Sequence, residues 1–180
     1  MCGDKMKTEF ECRILDIDVE DFKDRLRKVN AQKITERNMR RFTYDVDPKL
    51  NSWIRVRDDG ERTTITYKRI HTDTIDGTKE LEFGVDDFDK ANQFIKILGY
   101  MPNAYQENRR ISYVLNDVSI EIDSWPKIPT YIEIEGNSKE EIEKVVKLLG
   151  YSMDDTSTLD VVKIYAKYGL DIHSFKELKF

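Results

Sequence analysis

The sequence predicts an α+β fold in which antiparallel strands form a sheet and helices pack against its apolar face. Short segments alternate apolar and polar residues, which is the pattern of half-buried strands. Longer segments between them repeat apolar residues at helical spacing and predict amphipathic helices. Polar turns with Gly or Asn-Asp favour antiparallel hairpins; they are RDDGER at 57–62, IDGT at 75–78 and LNDV at 115–118.

Strand periodicity recurs along most of the chain. Each segment is bounded by polar or turn-forming residues, as expected for strands in a sheet with one apolar face. In chain order the predicted strands are TEFECRILDI at 8–17, RRFTYDVD at 40–47, SWIRVRD at 52–58, RTTITYKRI at 62–70, TKELEFG at 78–84, RRISYVLN at 109–116, VSIEIDS at 118–124 and TYIEIEG at 130–136.

Helical periodicity appears in segments between and after the strands. The third of these opens with a capping box of Ser138 and Glu141. The fourth helical segment begins after a cap formed by Ser157 and Asp160 and ends before Gly169. The predicted helices are VEDFKDRLRKV at 19–29, DDFDKANQFIKILG at 86–99, SKEEIEKVVKLLG at 138–150 and VVKIYAKY at 161–168.

Length and composition indicate a globular, highly charged protein. We expect one domain over 1–180, with residues 1–7 flexible and 156–180 forming a C-terminal helix and tail. A net charge of -5 and a pI of about 5.2 argue against general nucleic-acid binding. Two cysteines, Cys2 and Cys12, are too few for a disulfide framework and predict a cytoplasmic protein. Because no signal peptide or transmembrane run is visible, we expect no membrane partner.

The charged residues of the predicted strands share one face of each strand. Such a face is ordinarily solvated, and that interpretation stays open. Here, however, acids come in pairs and bases lie on other strands, so the charges are segregated. The residues on these faces are Glu9, Glu11 and Arg13, then Arg55 and Arg57, Thr64, Thr66 and Lys68, Glu80 and Glu82, Arg110 and Ser112, Glu121 and Asp123, and Glu133 and Glu135.

Closure of the sheet into a barrel would turn the charged faces inward and the apolar faces outward beneath the helices. Guanidinium groups bind phosphate oxygens bidentately. Carboxylates without neighbouring His or Cys suit Mg²⁺ or Mn²⁺, which also bridge phosphates. A closed sheet therefore predicts a polyphosphate–metal site in its interior.

The ordered set of charged motifs between Thr8 and Tyr151 resembles the CYTH superfamily of triphosphate tunnel metalloenzymes. That superfamily includes class IV adenylyl cyclases, thiamine triphosphatases and inorganic triphosphatases. The resemblance implies a closed antiparallel barrel, a tunnel of about eight strands with a charged interior and helices outside. The motifs are E-x-E-x-R at 9–13, R-x-R at 55–57, Lys68 in TYK, E-x-E at 80–82, Asp123 in EIDSWP and E-x-E at 133–135.

The resemblance also implies roles for individual residues. The residues that would hold a triphosphate are Arg13, Arg55, Arg57, Lys68, Arg110 and Arg109. The residues that would bind divalent ions, Mg²⁺ or Mn²⁺, are Glu9, Glu11, Asp123, Glu133 and Glu135. The supporting acids would be Glu80, Glu82 and Glu121, and the catalytic residues would be Arg13, Tyr44 and Lys68.

Two positions depart from the family pattern. The first motif usually ends in Lys, which together with a downstream Tyr is implicated in activating water in the hydrolases. This chain has Arg13, which cannot act as a base, and Tyr44 resembles that Tyr. Asn108 stands where many relatives have a basic residue. The adjacent Arg109 is the candidate replacement, although alternation along the strand places its side chain on the other face.

Three functions agree with these motifs. In a cyclase, the 3′-hydroxyl of ATP attacks the α-phosphorus and pyrophosphate leaves, whereas in a triphosphatase water attacks the terminal phosphorus of tripolyphosphate, thiamine triphosphate or a nucleotide. A polyphosphate- or nucleotide-binding module without turnover is the third. Arg13 and the tail, which resembles that of bacterial proteins assigned as class IV adenylyl cyclases, favour the cyclase. We expect a small-molecule triphosphate as the partner, and a monomer or homodimer.

Overall fold

The structure is a computed structural model that describes residues 6–180. The strands are β1 (Lys7–Ile14), β2 (Gln32–Asp47), β3 (Ser52–Asp58), β4 (Thr63–Ile70), β5 (Thr78–Val85), β6 (Ala104–Leu115), β7 (Val118–Ser124), β8 (Tyr131–Gly136) and β9 (Glu177–Leu178). The α-helices are α1 (Val19–Lys28), α2 (Phe88–Ile97), α3 (Lys139–Leu148) and α4 (Val161–Lys167). Short 3₁₀ helices span Pro48–Leu50, Met153–Asp155 and Ile172–Ser174.

The strands form one sheet that closes on itself. Its order is β2-β3-β4-β5-β1-β8-β7-β6-β9, and an additional pairing between β2 and β6 closes the barrel. The first eight strands in this order pair antiparallel, and the short β9 adds parallel to the beginning of β6. The predicted α+β fold, a closed antiparallel barrel of about eight strands with helices outside, is therefore confirmed.

Strands β2 and β6 are longer than predicted. β2 begins at Gln32, eight residues before the predicted segment, and pairs with β6 from Gln32 opposite Val114 to Thr43 opposite Ala104. The first half of β2 carries no apolar alternation because its outward side chains are exposed to solvent, including Ile34. A strand segment whose outward side chains face solvent needs no apolar face, so this part of the sequence lacks the usual signal.

The four predicted helices are confirmed, and each begins at a side-chain cap. The caps are Asp18, Asp87, Ser138 and Asp160. The Ser138 hydroxyl accepts from the Glu141 N–H at 3.2 Å, as predicted. The Glu141 carboxylate, however, accepts from the N–H of Asn137 at 3.0 Å, one residue before the position that a capping box requires.

The apolar strand faces point outward and are covered by helices. α1 and α3 pack over β1, β7 and β8, where Phe22 and Ile142 contact the cluster that contains Ile134. α2 covers β3, and Phe88 and Ile95 pack there against Val56. α4 belongs to a third cluster, which comprises Trp125, Ile128, Tyr131, Ile164, Tyr165, Ile172 and Leu178. This arrangement leaves the charged strand faces to line the barrel interior.

The structure describes only part of the N-terminal segment 1–7. Residues 1–5, including Cys2, lie outside the described part of the chain. Lys7, the last residue of the segment that we expect to be flexible, begins β1 opposite Glu80 of β5, and its ammonium group pairs with Glu135 at 3.1 Å. Within residues 6–180, no helix is long and apolar enough to cross a membrane.

Candidate active site

The interior of the barrel is a tunnel lined by charged side chains. Glu9 is 3% exposed, Arg13 7% and Asp123 1%, although all three lie on strand faces that a solvated sheet would expose. Burial of this many charges requires internal pairing, because an isolated charge in the interior is strongly unfavourable. The described residues therefore place acids and bases in direct contact across the tunnel.

Strand register gathers the acids on one wall, which we call the acid wall. It consists of the inward residues of β1, β7 and β8. Glu11 lies opposite Glu135, and Glu133 lies between Arg13 on β1 and Glu121 on β7. Pairing of antiparallel strands brings directly opposed side chains about 5 Å apart, so this register forms a contiguous carboxylate surface.

Arg13 is held by acceptors on three segments. Its Nη2 atom donates to Glu11 at 3.0 Å and to Glu133 at 2.6 Å, and its Nη1 atom donates to the carbonyl of Leu159 at 3.0 Å. Burial alone would lower the pKa of this guanidinium, but Glu11 and Glu133 outweigh burial and raise it well above its ordinary value. Arg13 is thus a permanent cation that cannot accept a proton.

Lys68 crosses the tunnel from β4 to the acid wall. Its Nζ atom donates to both oxygens of Glu9, at 2.7 and 2.8 Å, and lies 3.4 Å from Glu80. Burial alone would lower the pKa of Lys68, but the charges of Glu9, Glu11 and Glu80 raise it. Lys68 is therefore an ammonium ion at neutral pH.

The opposite wall carries a surplus of positive charge. Arg41 on β2 lies directly opposite Arg57 on β3, and Arg55 is two residues away on the same face. For Arg55 and Arg57 the paired acid is Glu82, at 3.3 and 3.4 Å, which also accepts from the Thr66 hydroxyl at 2.6 Å. We call Arg41, Arg55 and Arg57 the arginine cluster.

Repulsion within the arginine cluster is visible in the pKa values. Arg55, followed by burial and Arg110, lowers the pKa of Arg57 to about 9, which still leaves the group charged at pH 7. Burial, followed by Arg55 and Arg57, lowers the pKa of Arg41 well below its ordinary value. The arginine cluster therefore carries more positive charge than Glu82 compensates, so an incoming anion would relieve the repulsion among its guanidinium groups.

Arg41 was not predicted as a site residue. Its guanidinium donates to Asn108 Oδ1 and lies 4.7 Å from the ring centre of Trp125. The sequence did contain a signal, since Arg41 and Thr43 alternate with Phe42 and Tyr44 in a segment that we predicted to be a strand. Reading the parity of that strand would have placed Arg41 on the charged face.

Arg110 on β6 pairs with two carboxylates of the acid wall. It donates to both oxygens of Asp123, with its Nε atom at 2.8 Å, and to Glu133 at 3.0 Å. Asp123 also accepts from Asn108 Nδ2 at 3.2 Å. Asp123, which we expect to bind metal, therefore also holds Arg110 in place.

Three acids keep incompletely compensated charge. Burial, reinforced by neighbouring acids, raises the pKa of Glu9, Glu121 and Glu135, and Glu121 Oε2 is buried without a hydrogen-bond partner. Glu133 behaves oppositely. Burial alone would raise its pKa, but Arg13 and Arg110 outweigh that effect and lower the pKa far below its ordinary value.

The donor set fits a hard divalent cation. As they stand, no three His, Cys, Asp or Glu side chains within residues 6–180 converge closely enough to hold an ion. The acid wall nevertheless offers carboxylate oxygens alone, which are the ligands that Mg²⁺ and Mn²⁺ prefer. The oxygen of Glu121 that is buried without a hydrogen-bond partner could accept such a cation, and neighbouring acids add to the burial that raises the pKa of Glu9 and Glu135.

Two predicted site residues point away from the tunnel. Tyr44 is fully buried under α2, where its hydroxyl donates to Asn92 at 2.6 Å, and burial raises its pKa to about 12. Arg109 is exposed on the outside and lies 4.3 Å from the ring centre of Phe180. We expected both side chains to face the tunnel. Alternate residues of a strand point to opposite faces, and the neighbouring Thr43 and Arg110 occupy the inward positions.

The remaining cavity inside the tunnel is small. It has a volume of about 120 Å³, because the ion pairs described above fill most of the interior. At one mouth its lining includes Trp53 and Ile70 of the barrel together with Asp160 and Val161 from the beginning of α4. The C-terminal segment therefore forms part of the tunnel wall.

Comparison with known proteins identifies this architecture. The model of the CYTH domain matches residues 7–158. The chain belongs to the CYTH domain family. A search of curated proteins finds no match.

Solved structures share the CYTH fold. A conserved hypothetical protein from Pyrococcus furiosus has a TM-score of 0.76 and 26% identity, over 87% of this chain and 99% of that chain. A Vibrio parahaemolyticus protein, provisionally assigned as an adenylate cyclase, has a TM-score of 0.74 and 12% identity, over 89% and 98% of the two chains. The Hippeastrum protein HpAC1, provisionally assigned as an adenylyl cyclase and reported to have a dominant triphosphatase activity, has a TM-score of 0.61 and 12% identity, over 94% and 100%.

The CYTH family binds triphosphate substrates and is generally metal-dependent. It includes both adenylyl cyclases and triphosphatases. At 12% identity, the similarity to the Vibrio parahaemolyticus and Hippeastrum proteins shows a shared fold and does not specify the reaction of this chain.

Proposed function

We propose that this protein is a divalent-metal-dependent enzyme that acts on a triphosphate inside the tunnel, with ATP as substrate and cyclic AMP and pyrophosphate as products. The observation that carries the proposal is the arginine cluster, in which Arg55 and Arg57 share Glu82 and Arg41 pairs with no carboxylate of residues 6–180. A polyphosphate supplies the missing negative charge in a geometry that guanidinium groups recognise.

The two walls would bind different components, the arginine cluster the phosphates and the acid wall a divalent ion. Arg41, Arg55 and Arg57 would hold the phosphate oxygens, while Lys68 and Arg110 would bridge toward the acid wall. A divalent ion bound by acids such as Glu9, Glu11 and Glu135 would neutralise phosphate charge and polarise the reacting phosphorus. The side chains that stabilise charge are held in place by ion pairs before substrate binds, which favours electrostatic catalysis.

The choice of nucleophile rests on the groups that could take a proton. Arg13 is a permanent cation, and Tyr44 lies outside the tunnel, so neither residue activates water. In a cyclase the attacking hydroxyl belongs to the bound substrate and is positioned with it. Its oxygen forms a bond to the α-phosphorus, the bond from that phosphorus to the bridging oxygen breaks, and pyrophosphate leaves. The hydroxyl proton passes to a carboxylate of the acid wall that does not hold the metal ion.

A triphosphatase is the second candidate function. Glu121 favours it, because its Oε2 atom is buried without a partner and its pKa is raised by burial. A carboxylate in that state can accept a proton from a water molecule that attacks the terminal phosphorus. Both reactions use the same arginine cluster and the same acid wall, so they differ in which phosphorus meets the nucleophile.

A product assay tests the proposal. Purified protein is incubated with Mg²⁺ or Mn²⁺ and, separately, ATP, tripolyphosphate and thiamine triphosphate, and phosphorus NMR resolves the products. Cyclic AMP with pyrophosphate establishes the cyclase, and orthophosphate establishes the triphosphatase. Arg57→Ala, prepared identically, shows whether a contaminating phosphatase contributes. If every substrate stays intact, the protein is a polyphosphate- or nucleotide-binding module and the proposal fails.

A further inference from the structure

We propose that the outer surface formed by α2 and β5 is an interface between two copies of this chain, in which the two α2 helices pack antiparallel about a two-fold axis. The surface lies outside the barrel, so the proposal goes beyond the proposed function and does not depend on it. We call its exposed apolar side chains the α2–β5 patch; they are Leu81, Phe83, Phe94, Ile97, Leu98 and Met101.

The α2–β5 patch is larger than the apolar patches that monomeric proteins usually expose. Its side chains are between 50% and 74% exposed. At about 200 Å² for a large side chain, they leave on the order of 700 Å² of surface open, compared with a few hundred Å² on a typical monomer. A stable interface buries about 800 Å² on each partner. The patch thus supplies most of the area that a dimer of this chain needs.

The helical and strand parts of the patch lie side by side. Asn92 marks the flank of α2 that is nearest β2, because it accepts a hydrogen bond from Tyr44 at 2.6 Å. Helical geometry places Phe94 and Leu98 on the other flank, one turn apart. That flank faces β5, since α2 packs on β3 and β4 and β5 is the next strand of the sheet. The open side chains of the helix and of the strand therefore form one continuous surface.

α2 and α3 are equivalent helices of an internal repeat. Each has 10 residues, begins after a side-chain cap and is followed by Leu-Gly-Tyr. When the two are aligned on this ending, Phe94 of α2 corresponds to Val145 of α3, and Leu98 corresponds to Leu149. Phe94 and Leu98 are 59% and 58% exposed, whereas their counterparts are each 1% exposed. The same flank is therefore buried on one helix and open on the other.

Helix α1 covers that flank of α3. Val145 and Leu149 belong to the cluster that contains Phe22 of α1. Arg25 of α1 donates to the Leu149 carbonyl at 3.2 Å and lies 4.9 Å from the ring centre of Tyr151. Within residues 6–180, no helix covers the corresponding flank of α2. The open flank therefore has the polarity and position of a site for a helix.

A second copy of α2 fits this site in both polarity and charge. In an antiparallel pair centred between Phe94 and Ile97, the apolar residues of each helix meet those of the other. Lys90 lies on the same side of the helix as Phe94, and its side chain is 84% exposed. The antiparallel pair brings Lys90 of each copy opposite Met101 of the other, beside the C-terminal end of α2. A cation is favourable there because the last carbonyls lack partners, and Arg25 already occupies the equivalent place at the end of α3.

Ile97→Asp tests the interface, and the chain offers a matched control. We expect sedimentation equilibrium to show that the wild-type protein is a dimer. Ile97→Asp should raise the dissociation constant of the dimer about thirtyfold or more, as expected for the centre of an interface. Leu148 occupies the position of α3 that corresponds to Ile97 and is 51% exposed outside the patch. Leu148→Asp places the same charge at the same helical position, so it should leave the dissociation constant near the wild-type value.

A cross-link tests the orientation of the two helices and does not depend on a disruptive substitution. In a Cys2→Ser background the remaining native cysteine, Cys12, is buried. Ile97→Cys in that background should be joined to a second copy by a short bismaleimide, because the two thiols lie close to the two-fold axis. Leu148→Cys in the same background should stay uncoupled.

The outcomes decide the proposal without reference to catalysis. A wild-type protein that stays monomeric at every concentration overturns it, and the patch would then be covered by residues 1–5 or by a different protein. A dimer that Ile97→Asp leaves intact, or that Leu148→Asp weakens equally, also overturns it, because the interface would lie elsewhere. If circular dichroism shows that Ile97→Asp disturbs α2, the cross-link decides, and failure to couple Ile97→Cys overturns the proposal.

Discussion

Arg13 and Arg41 are both buried in the tunnel, yet their surroundings are opposite. Arg13 contacts the carboxylates of Glu11 and Glu133, and its pKa is raised because those charges outweigh burial. Arg41 contacts the side chains of Asn108 and Trp125, and its pKa is lowered by burial and by other arginines. Arg13 is thus satisfied within the protein, whereas Arg41 would gain a counter-ion only when an anion binds.

Arg41→Met should separate binding from folding. The activity on triphosphates should fall by about 10- to 100-fold, since charge-assisted hydrogen bonds contribute roughly 1.5–3 kcal/mol. The free energy of unfolding without ligand should stay within about 1 kcal/mol of wild type, because relief of repulsion from Arg55 and Arg57 offsets the lost bond to Asn108. Steady-state kinetics and urea unfolding measure the two effects.

Arg40→Met is the control for that variant. Arg40 is the preceding residue of β2 but is exposed on the outside, where it pairs with Asp58 at 2.9 Å. Its loss should leave kinetics within about twofold of wild type, as expected for a surface ion pair. Full activity in Arg41→Met would contradict the assignment of Arg41 to the phosphate site.

At the scale of an element, the turn between β3 and β4 depends on one buried carboxylate. Asp59 accepts from the N–H groups of Glu61 and Arg62, both at 3.0 Å, and from Arg37 at 2.7 Å. Burial alone would raise the pKa of Asp59, but the Arg62 and Glu61 N–H groups and the charge of Arg37 lower it below its ordinary value of 3.8. This carboxylate fixes the hairpin that carries Arg55 and Arg57.

Asp59→Asn should destabilise the protein in a pH-dependent manner. A carboxyl group with a lowered folded pKa contributes stability above its unfolded pKa, and that stability is lost as the pH falls through the folded value. At pH 7 we expect a loss of about 1–3 kcal/mol in the free energy of unfolding. The difference between wild type and variant should shrink below about pH 4.

Urea unfolding at pH 7, 5 and 3 measures this effect. Glu61→Gln is the control, because the Glu61 side chain is 71% exposed and its pairing with Arg37 should contribute less than about 1 kcal/mol. A pH-independent loss in Asp59→Asn would show that the carboxylate charge is not what holds the turn.

At the scale of the whole molecule, the barrel inverts the usual distribution of polarity. Apolar strand faces meet the helices outside, and the interior holds two walls of opposite charge. Many of the buried ion pairs join the walls, as Lys68 does with Glu9 and Arg110 with Glu133. The attraction within buried ion pairs offsets only part of the cost of removing the charges from water. Binding of an anion and a cation together would therefore stabilise the charged interior of the tunnel.

Combined addition of both ions should therefore stabilise the protein more than either ion alone. We expect Mg²⁺ with the non-hydrolysable imido analogue of tripolyphosphate to raise the Tm, with a stabilisation of about 2.7 kcal/mol at a ligand concentration one hundred times Kd. Differential scanning calorimetry at constant ionic strength, with sulfate as the control anion, measures the shift. A shift no larger than that of sulfate with Mg²⁺ would contradict the two-wall arrangement.

Much of this architecture could be predicted from the sequence because strand and helix periods are local. Alternation placed Glu9, Glu11, Arg55, Arg57 and Lys68 on charged faces, and each of these residues does face the tunnel. The same alternation indicates that Tyr44 and Arg109 point outward, and the family pattern, which places a catalytic Tyr here, led to a different expectation. The beginning of β2 escaped prediction because its outward side chains, such as Ile34, are exposed and follow no apolar alternation.

Local patterns in the sequence specify the α+β composition, the segregation of charges by strand and the identity of the acids and bases available for chemistry. Which of these acids and bases meet depends on the tertiary structure. Glu9 and Lys68 are 59 positions apart, and Arg13 and Glu133 are 120 apart. Such pairs depend on the closure of the barrel between β2 and β6 and on inter-strand register, which are set by packing across the whole sheet. The C-terminal segment likewise returns to the tunnel mouth, where Asp160 and Val161 line the cavity, a contact that no local pattern encodes.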